Sequence, residues 1–235
     1  MKLDGIEGRV AFVTGGGRGI GRRIAETLNT LGARVAAGDL QAPALGGVLG
    51  IAVDVTDESQ VDQAFTTIER ELGGVSLLVL NAGIFAIESL ETTSLDLWNR
   101  TLAVNLTGAF LCARRALPGM RTSGFGRIVA IGSSAGKTGG SKNMAAYAAS
   151  KAGIMALAKS IAFEYAAAGI TANALAPALI DTDMISSMPD LHARVPIGRL
   201  GTVQDVADVV AFLCSAHAGY ITGEVMDVNG GFFID

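Results

Sequence analysis

The stretch that decides the fold lies near the start of the chain and reads Arg9-Val-Ala-Phe-Val-Thr14 followed by Gly15-Gly-Gly-Arg-Gly-Ile-Gly21. An apolar run without alternating polar residues predicts a β-strand that is buried on both faces. The glycines predict a sharp turn, and the residues after it have the spacing of a helix. A strand, a glycine-rich turn and a helix in this order are the unit from which doubly wound parallel sheets are built.

Similar apolar runs alternate with helical patterns along the chain. We predict strands over Arg9–Thr14, Arg34–Asp39, Gly50–Asp54, Leu77–Asn81, Arg127–Ile131, Thr171–Ala176 and Glu224–Val228. We predict helices over Gly19–Leu31, Glu58–Leu72, Leu95–Ala116, Tyr147–Ala168 and Val203–Cys214. Because the connection between the second and third strands is short and contains Pro43, we expect a turn there instead of a helix. The pattern predicts an α/β fold with a doubly wound (Rossmann) seven-stranded parallel sheet, in which residues 1–235 form a single domain.

Composition and charge exclude several classes of protein. Half of the 235 residues are hydrophobic, with 31 glycines and 5 prolines, which is typical of a packed α/β protein. The formal net charge of −4 gives no reason to expect nucleic acid or an anionic membrane as a partner. No apolar run reaches the roughly 18 residues of a membrane span, and the start of the chain does not resemble a signal peptide. We therefore expect a cytoplasmic protein without a metal site, whose two cysteines, Cys112 and Cys214, are free buried thiols.

The glycine-rich turn is a candidate phosphate-binding site. A strand that ends in glycines and leads into a helix directs backbone N–H groups and the positive helix end at a phosphate. Its spacing, Gly-x-x-x-Gly-x-Gly, differs from the general dinucleotide fingerprint and taken alone is as often structural as functional. Its place between the first strand and the first helix favours the functional reading. We expect the cofactor to contact Gly15, Gly17, Arg18, Gly19, Ile20 and Gly21.

The end of the second strand bears on the choice of cofactor. Asp39, followed by Leu40, stands where a carboxylate can accept hydrogen bonds from the ribose of adenosine. A 2′-phosphate would meet like charge there, at a cost of several kcal/mol, although Arg18 could hold that phosphate. We predict a preference for NAD over NADP, because the carboxylate occupies the space that the phosphate needs. Other strand ends are assigned to the cofactor, with ordinary turn chemistry as the alternative: Asp54, Val55, Asn81, Ala82 and Gly83.

The second candidate site centres on Tyr147 and Lys151, which lie one turn apart on the same face of a mostly apolar helix. Half-ionisation of a tyrosine at pH 7 needs about 4 kcal/mol. One positive charge at about 4 Å supplies that amount at an effective dielectric constant of about 20. Lys151 is such a charge, so Tyr147 can act as general acid in a reduction and general base in an oxidation. The hydroxyl of Ser133 would hold the substrate carbonyl.

These motifs together resemble the short-chain dehydrogenase/reductase family over nearly the whole chain. The resemblance rests on Thr14-Gly15-x-x-x-Gly19-Ile20-Gly21, Asn81-Ala82-Gly83, Asn105, Ser133, Tyr147-x-x-x-Lys151 and Asn173-x-x-x-Pro177. It implies a catalytic set of Asn105, Ser133, Tyr147 and Lys151, in which Asn105 anchors a water of the proton relay. Tyr147 and Lys151 would also contact the cofactor. Around the nicotinamide it implies contacts with Pro177, Ala178, Ile180 and Thr182, although the family usually has glycine where Ala178 stands.

The catalytic serine has a neighbour that is an alternative. Ser133 is preferred to Ser134 because it stands three residues before Gly136, as the family serine usually does. The loop from Ser133 to Tyr147 then has one residue more than in close members of the family. Substitution of each serine by alanine would decide which hydroxyl is catalytic.

Within the family the chain is most similar to 3-oxoacyl-(acyl-carrier-protein) reductases. The likeness rests on Ile180-Asp-Thr-Asp-Met184, Val195-Pro-Ile-Gly-Arg-Leu200, Tyr220-Ile-Thr-Gly-Glu224 and Val228-Asn-Gly-Gly231. Many alcohol, sugar and diol dehydrogenases share these phrases. Carrier-protein reductases also use basic residues near the mouth of the site, where this chain has Gly124 and Ala168. An apolar substrate lid is expected over Asp183–Val195.

These observations lead to one prediction and two alternatives. We predict hydride transfer between NAD(H) and a small secondary alcohol or ketone. The first alternative is an NADPH-dependent 3-oxoacyl-(acyl-carrier-protein) reductase of fatty-acid or polyketide synthesis. The second is a catalytically idle dinucleotide-binding scaffold, against which the intact catalytic residues count. Two helical segments with little polar surface, Ser150–Ala168 and Asn105–Ala116, predict a homotetramer, as is usual in the family.

Overall fold

The computed structural model describes residues 3–182 and 192–234. In this part the chain forms a parallel seven-stranded sheet with the strand order β3-β2-β1-β4-β5-β6-β7. The strands are β1 Val10–Thr14, β2 Arg34–Asp39, β3 Leu49–Ala52, β4 Leu77–Leu80, β5 Gly126–Ile131, β6 Ile170–Pro177 and β7 Val225–Val228. The predicted doubly wound α/β sheet is confirmed.

Helices connect most of the strands. They are α1 Gly19–Thr30, α2 Glu58–Glu71, α3 Leu95–Leu102, α4 Gly108–Ser123, α5 Ser134–Thr138, α6 Ala145–Tyr165 and α7 Val203–Cys214. A π-helical turn, Ala103–Thr107, joins α3 to α4, and 3-10 turns lie at Ala166–Ala168, His192–Arg194 and Ala216–Ala218. The one-turn helix α5 was not predicted, because five residues are too few to show a helical period.

The predicted helix Leu95–Ala116 is in the right place but is interrupted and longer. The π-helical turn divides it, and α4 continues past Pro118 to Ser123. Pro118 lies on the exposed side of α4, whereas Leu117 and Met120 are buried. Packing of these two side chains continues the helix past Pro118, a residue type that usually ends or kinks a helix.

Both faces of the sheet are covered, which explains why the strands show no polar alternation. In β1, Phe12 packs on the face that also buries Phe65 of α2. Its neighbours Ala11 and Val13 pack on the opposite face with Ile24 of α1. Because successive side chains of a strand point to opposite faces, a sheet covered on both sides needs apolar residues at every position.

The carboxyl ends of β1 and β4 form a crevice. β1 is followed in the chain by β2 on one side, while its other neighbour in the sheet is β4. The loops that leave β1 and β4 therefore diverge at a topological switch point, where doubly wound sheets bind their ligands. The hydroxyl of Thr14 donates to Val79 O at 3.2 Å and accepts the N–H groups of Asn81 and Ala82 at 3.0 and 3.1 Å.

The connection from β2 to β3 has no helix, as predicted. The carbonyl oxygen of Pro43 lies over β3, so that a Cβ added at Gly50 would be 2.2 Å from it. β3 ends at Ala52, two residues before the predicted end. It ends there because the side chain of Asp54 turns the chain by accepting the N–H and hydroxyl of Thr56 at 2.9 and 2.7 Å.

Two further predictions concern thiols and membranes. Cys112 and Cys214 are free and buried, as predicted, and burial raises the pKa of each thiol to about 12. Among the described residues, no helix has both the length and the apolar composition needed to cross a membrane.

Candidate active site

The glycine-rich turn after β1 is packed so closely that Gly15 and Gly21 have no room for a side chain. Gly15 has a φ of +63°, and a Cβ added there would lie 2.8 Å from Ala82 Cα. A Cβ at Gly21 would lie 2.1 Å from Gly15 O and 2.4 Å from Asn81 Nδ2. The amide of Asn81 donates to Thr14 O at 3.0 Å and to Gly15 O at 2.9 Å. The loop after β4 therefore holds the turn in place.

The start of α1 fits a phosphate. Its first turn receives no hydrogen bond from a capping side chain, because the N-cap residue is Arg18 in an extended conformation. Gly19 has a φ of +53°, and a Cβ added there would have nothing within 4 Å, so there is space in front of the helix. The positive end of a helix with unpaired N–H groups and open space in front of it suits the pyrophosphate of a dinucleotide. Ile20 and Gly21 follow in the same turn.

Asp39 is tied to the glycine-rich turn. Its Oδ2 accepts the N–H of Gly17 at 3.1 Å, and its Oδ1 accepts the N–H of Leu40 at 2.8 Å. Leu40 is 72% exposed and lies beside the crevice. The guanidinium of Arg18 is exposed and has no hydrogen bond or ion pair within the part of the chain that the structure describes. Both Asp39 oxygens are thus engaged by backbone, while Arg18 is available to an anion.

The remaining strand-end residues differ in their surroundings. Asp54 is engaged in the turn after β3, where its N–H also donates to Gln60 Oε1 at 3.0 Å. Val55 is buried, and a Cβ added at Gly108 would meet its side chain at 2.7 Å. Gly83 lies close to the second site, since a Cβ there would be 3.4 Å from Lys151 Nζ. Their contacts with a cofactor stay predictions.

The structure brings Ser133, Tyr147 and Lys151 together at the carboxyl end of β5. Ser133 is the N-cap of α5, where its hydroxyl accepts the N–H of Ala135 at 3.1 Å. The hydroxyl of Ser133 also lowers the pKa of the Tyr147 phenol, against the larger effect of burial. The ammonium of Lys151 lies 5.8 Å from the centroid of the Tyr147 ring. The choice of Ser133 over Ser134 as the catalytic serine stays a prediction.

Burial governs the ionisation of this cluster. It raises the pKa of Tyr147, and the hydrogen bond from Ser133 offsets that only in part. It lowers the pKa of Lys151 to about 8. The expectation that Lys151 would lower the pKa of Tyr147 towards 7 is wrong in this structure. Lys151 donates instead to Ile131 O at 2.7 Å, and the low-dielectric surroundings disfavour both charged forms.

Asn105 lies in the π-helical turn between α3 and α4 and is buried. Such turns are frequent at functional sites. Its Oδ1 accepts the N–H of Ile84 at 2.8 Å, while its Nδ2 donates to Ile84 O at 3.0 Å and to Ser150 Oγ at 2.9 Å. Ser150 in turn donates to Tyr147 O at 2.7 Å. The side chain of Asn105 thus connects the loop after β4 with α6, and its predicted role in holding a water stays a prediction.

The segment expected around the nicotinamide follows β6, the neighbour of β5. Pro177 ends β6, and the N–H of Ala178 donates to Val228 O at 3.2 Å. Ile180 is buried and pairs with Gly201 in an isolated parallel bridge, and Thr182 donates to Ile180 O at 3.3 Å. The position after β6 places these residues at the same edge as Ser133. Most of the predicted lid, residues 183–191, lies outside the described residues.

Three contributors were missed by the sequence analysis: Ser150, the carbonyl of Ile131, and Phe85. The ring of Phe85 packs edge-on against that of Tyr147, with centroids 4.9 Å apart and an interplanar angle of 86°. No sequence signal marks a backbone carbonyl, and a phenylalanine after a strand is usually read as core. Ser150 alone could have been found, because it lies three residues after Tyr147, on the same side of the helix.

Gly124 and Ala168 do not lie at the mouth of the site within one subunit. Gly124 ends α4 just before β5, and Ala168 ends the 3-10 turn before β6. Both therefore lie at the amino ends of parallel strands, opposite the crevice. A Cβ added at Gly169 would be 2.2 Å from Gly124 O, so the two loops touch each other. The absence of basic side chains at Gly124 and Ala168 therefore says nothing about which partner binds at the mouth of the site.

Comparison with known proteins assigns the family. Residues 15–233 match the family model described as Enoyl-(Acyl carrier protein) reductase. The chain is 42% identical over 242 residues to the 3-oxoacyl-[acyl-carrier-protein] reductase FabG of Escherichia coli, covering 97% of this chain and 99% of the relative. It is 43% identical over 228 residues to the 3-oxoacyl-[acyl-carrier-protein] reductase MabA of Mycobacterium tuberculosis, covering 95% and 92%.

Solved structures agree with this assignment. A 3-ketoacyl-(acyl-carrier-protein) reductase from Brucella melitensis complexed with NADH superposes with a TM-score of 0.93 at 31% identity, covering 98% of this chain and 100% of that one. A putative gluconate dehydrogenase from Agrobacterium tumefaciens gives a TM-score of 0.91 at 32% identity, covering 99% and 98%. The fold and the site define a dinucleotide-dependent oxidoreductase. The chain belongs to the short-chain dehydrogenase/reductase family.

The predicted preference for NAD over NADP is wrong. The relatives at 42% and 43% identity are 3-oxoacyl reductases, the class for which NADPH was expected above. One structural neighbour carries NADH, so the comparisons support the use of NAD(P) without a preference for NAD. The physical reason lies in Asp39, whose oxygens accept backbone N–H groups, and in Arg18, which stands exposed beside the turn. The prediction overestimated how strongly the charge of Asp39 disfavours the 2′-phosphate of NADP.

Proposed function

We propose that this oxidoreductase reduces the 3-keto group of a 3-oxoacyl thioester, carried by an acyl carrier protein, to a 3-hydroxyl group with NAD(P)H. The observation that carries the proposal is the 42% identity, over 97% of this chain, to a 3-oxoacyl reductase. The cluster of Ser133, Tyr147 and Lys151 beside the crevice supports it, because a carbonyl reduction needs a proton donor next to a dinucleotide site. The substrate corresponds to the first alternative of the sequence analysis.

The residues present fit a nicotinamide dinucleotide. The open amino end of α1 would hold the pyrophosphate, and the buried ammonium of Lys151 offers two N–H donors beyond the one that Ile131 O accepts. When bound, the reduced nicotinamide supplies the hydride that the carbonyl carbon of the substrate accepts. Gly83, near the start of the loop after β4, adds no side chain beside Lys151, where a Cβ would lie 3.4 Å from Nζ and crowd the nicotinamide ribose.

Tyr147 would supply the proton. Because its pKa is raised by burial, the phenol is protonated near neutral pH and starts the reduction as an acid. As negative charge develops on the carbonyl oxygen, the phenol O–H donates its proton to that oxygen. The hydroxyl of Ser133, which acts on the pKa of the phenol, would donate a hydrogen bond to the same oxygen.

Lys151 would stabilise the tyrosinate that this transfer leaves behind. Its pKa of about 8 means that the ammonium form predominates at pH 7. A positive charge about 6 Å from the phenol ring favours the anion and weakens as the ammonium loses its proton. The rate of reduction should therefore fall above pH 8. Asn105 and Ser150 would keep the start of α6 in position during the cycle.

The oligomeric state of the protein is also a proposal. We expect a homotetramer that is formed through α4 and α6. Phe163 on α6 is 94% exposed, and Phe110 on α4 is exposed as well. A groove between the two helices is lined by Leu117, Leu157 and Tyr165, among others. Such apolar surface on neighbouring helices is expected to be covered by another subunit.

The direct test follows the absorbance of the reduced cofactor at 340 nm with the purified chain. Substrates are acetoacetyl groups on an acyl carrier protein and on pantetheine, and a panel of simple ketones without a thioester. We expect turnover of both thioesters with NADH or NADPH, with a higher kcat/KM on the carrier protein. Turnover of simple ketones alone would contradict the proposal.

That outcome would instead favour the interconversion of alcohols and ketones, the second candidate function. The putative gluconate dehydrogenase among the structural neighbours, 32% identical to this chain, supports this candidate. Oxidation of secondary alcohols or sugar acids with NAD or NADP, measured at 340 nm in the same preparation, distinguishes the two functions.

A further inference from the structure

The loop after β4 places an aromatic ring directly on the candidate proton donor. Ile84 is held through both of its backbone groups by the amide of Asn105, at 2.8 and 3.0 Å. The next residue, Phe85, is half-buried and packs edge-on against the ring of Tyr147, with the centroids 4.9 Å apart. The backbone that leads to this ring is held by the same side chain, Asn105, that donates to Ser150 of α6.

The loop is fixed again three residues later. The N–H of Glu88 donates to Asn143 O at 2.9 Å, in the loop that leads into α6. Asn143 has a φ of +68°, which among the described residues is the only positive φ outside glycine. Residues 85–87 therefore lie between two anchored points, Ile84 and Glu88.

The surface that this span presents is apolar. Ile87 is 51% exposed, and Phe85 and Ala86 are half-buried. Exposed apolar side chains that continue from a catalytic cluster mark a site for an apolar ligand more often than isolated ones do. The carboxylate of Glu88 accepts a hydrogen bond from the hydroxyl of Thr92.

We infer that Phe85, together with Ile87, forms an apolar wall that contacts the carbon chain of the substrate and makes the site select longer acyl chains. The inference rests on the proposed function, since it names the substrate class of the same site. A carbonyl oxygen that reaches the phenol of Tyr147 places its carbon substituents beside the groups that cover Tyr147. Phe85 is such a group, and it offers no hydrogen-bonding atom to a polar substituent.

The test compares substrates that differ only in chain length. The kcat/KM is measured for acetoacetyl and 3-oxododecanoyl thioesters, and for 2-butanone and 2-dodecanone as a series without a thioester. We expect Phe85→Ala to lower the ratio of long-chain to short-chain kcat/KM about tenfold, mainly through KM, because the loss of a hydrophobic contact costs roughly 10- to 200-fold in discrimination. Ile87→Ala should lower it about threefold.

Two variants serve as controls. Phe85→Leu keeps an apolar side chain and should leave the ratio within about threefold of the wild type. It also keeps the test valid if Phe85→Ala fails to fold. Tyr220→Ala removes a fully exposed aromatic ring from the loop before β7. This loop lies at the amino ends of the parallel strands, away from the crevice, so the ratio should not change.

Equal losses of kcat for long and short substrates in Phe85→Ala, with an unchanged ratio, would overturn the inference. Phe85 would then act only by positioning Tyr147. Failure of the proposed function gives a different result, in which the wild-type chain reduces the ketones and neither thioester. The ratio for the two ketones still decides the role of Phe85 in that case.

Discussion

The turn after β1 and the cluster around Tyr147 lie at the same edge of the sheet, but the first is built from backbone and the second from side chains. In the turn, a Cβ added at Gly15 or Gly21 would come within 2.8 or 2.1 Å of backbone atoms. In the cluster, the side chains of Ser133 and Lys151 lie near that of Tyr147, and the amide of Asn105 donates to Ser150. We therefore expect the turn to be sensitive to added atoms and the cluster to be sensitive to removed atoms.

The two regions also differ in their electrostatics. The turn offers the partial charges of N–H groups at the start of α1, which need no titration and change little with pH. The cluster holds a buried ammonium, Lys151, whose pKa is lowered to about 8 by burial. Burial of that charge costs stability, which is the usual balance between stability and function at a reactive site.

Apart from removal of the Tyr147 phenol, the largest effect should come from removing the hydroxyl of Ser133 from the cluster. Ser133→Ala is expected to lower kcat/KM for reduction by about 100- to 1000-fold, because the developing charge loses a hydrogen-bond donor. Cofactor affinity, measured by fluorescence titration, should not change. Ser134→Ala is the matched control. A larger loss of kcat/KM in Ser134→Ala than in Ser133→Ala would show that Ser134, and not Ser133, provides the catalytic hydroxyl.

Lys151→Met tests the cost of the buried charge. The Lys151 pKa falls from 10.5 to about 8 on folding, which corresponds to about 3 kcal/mol. The wild-type chain bears this cost while the ammonium is charged, below pH 8, and recovers it as pH rises from 8 to 10.5, where only the unfolded state still binds the proton. The variant should therefore exceed the wild type in unfolding free energy by more at pH 7 than at pH 10.

Urea unfolding at the two pH values gives the change in this difference, which we expect to be about 2–3 kcal/mol. Lys159→Met, at an exposed position on the same helix, controls for the loss of one lysine. A difference between variant and wild type that stays the same at both pH values would contradict the assigned burial of charge.

Gly21→Ala tests the opposite region. The added methyl group would lie 2.1 Å from Gly15 O and 2.4 Å from Asn81 Nδ2, so the turn must shift. We expect a loss of about 1–3 kcal/mol in stability and about tenfold weaker cofactor binding. Gly74→Ala is the control, because a Cβ there meets nothing within 4 Å. Similar cofactor affinities in the two variants would show that the turn tolerates added atoms.

The smallest expected effect concerns the cofactor phosphate. Asp39→Asn keeps an acceptor for the N–H of Gly17 and removes the negative charge, so the NADPH to NADH ratio of kcat/KM should rise about tenfold. Arg18→Ala should lower the same ratio by a similar factor. Arg22→Ala, which removes an exposed arginine paired with Glu26, serves as control. Changes of the same size with both cofactors would contradict these roles.

The backbone-built region was the easier one to predict from sequence. The strands and their apolar pattern follow from burial on both faces, and Gly15 and Gly21 follow from the turn that a phosphate site needs. Asp39 shows the limit of that reasoning. A carboxylate at the end of β2 looks like a negative charge facing the cofactor, and only the structure shows that backbone N–H groups of Gly17 and Leu40 engage it.

The side-chain-built region was predictable in its members but not in their energetics. Tyr147, Lys151 and Ser133 follow from spacing and from resemblance to the family. The raised pKa of Tyr147 does not, because it depends on how completely Phe85 and the surrounding elements exclude water. The same holds for Ser150 and the carbonyl of Ile131, whose contacts arise from the meeting of α6 with β5 and with the π-helical turn.

The most direct test of proton donation by Tyr147 is a single-turnover measurement with Tyr147→Phe. Enzyme preloaded with the reduced cofactor is mixed with a 3-oxoacyl thioester, and the absorbance at 340 nm is followed beside the wild type. We expect the variant to bind the cofactor normally and to oxidise it at least about 1000-fold more slowly. Oxidation at the wild-type rate would show that the proton comes from another group.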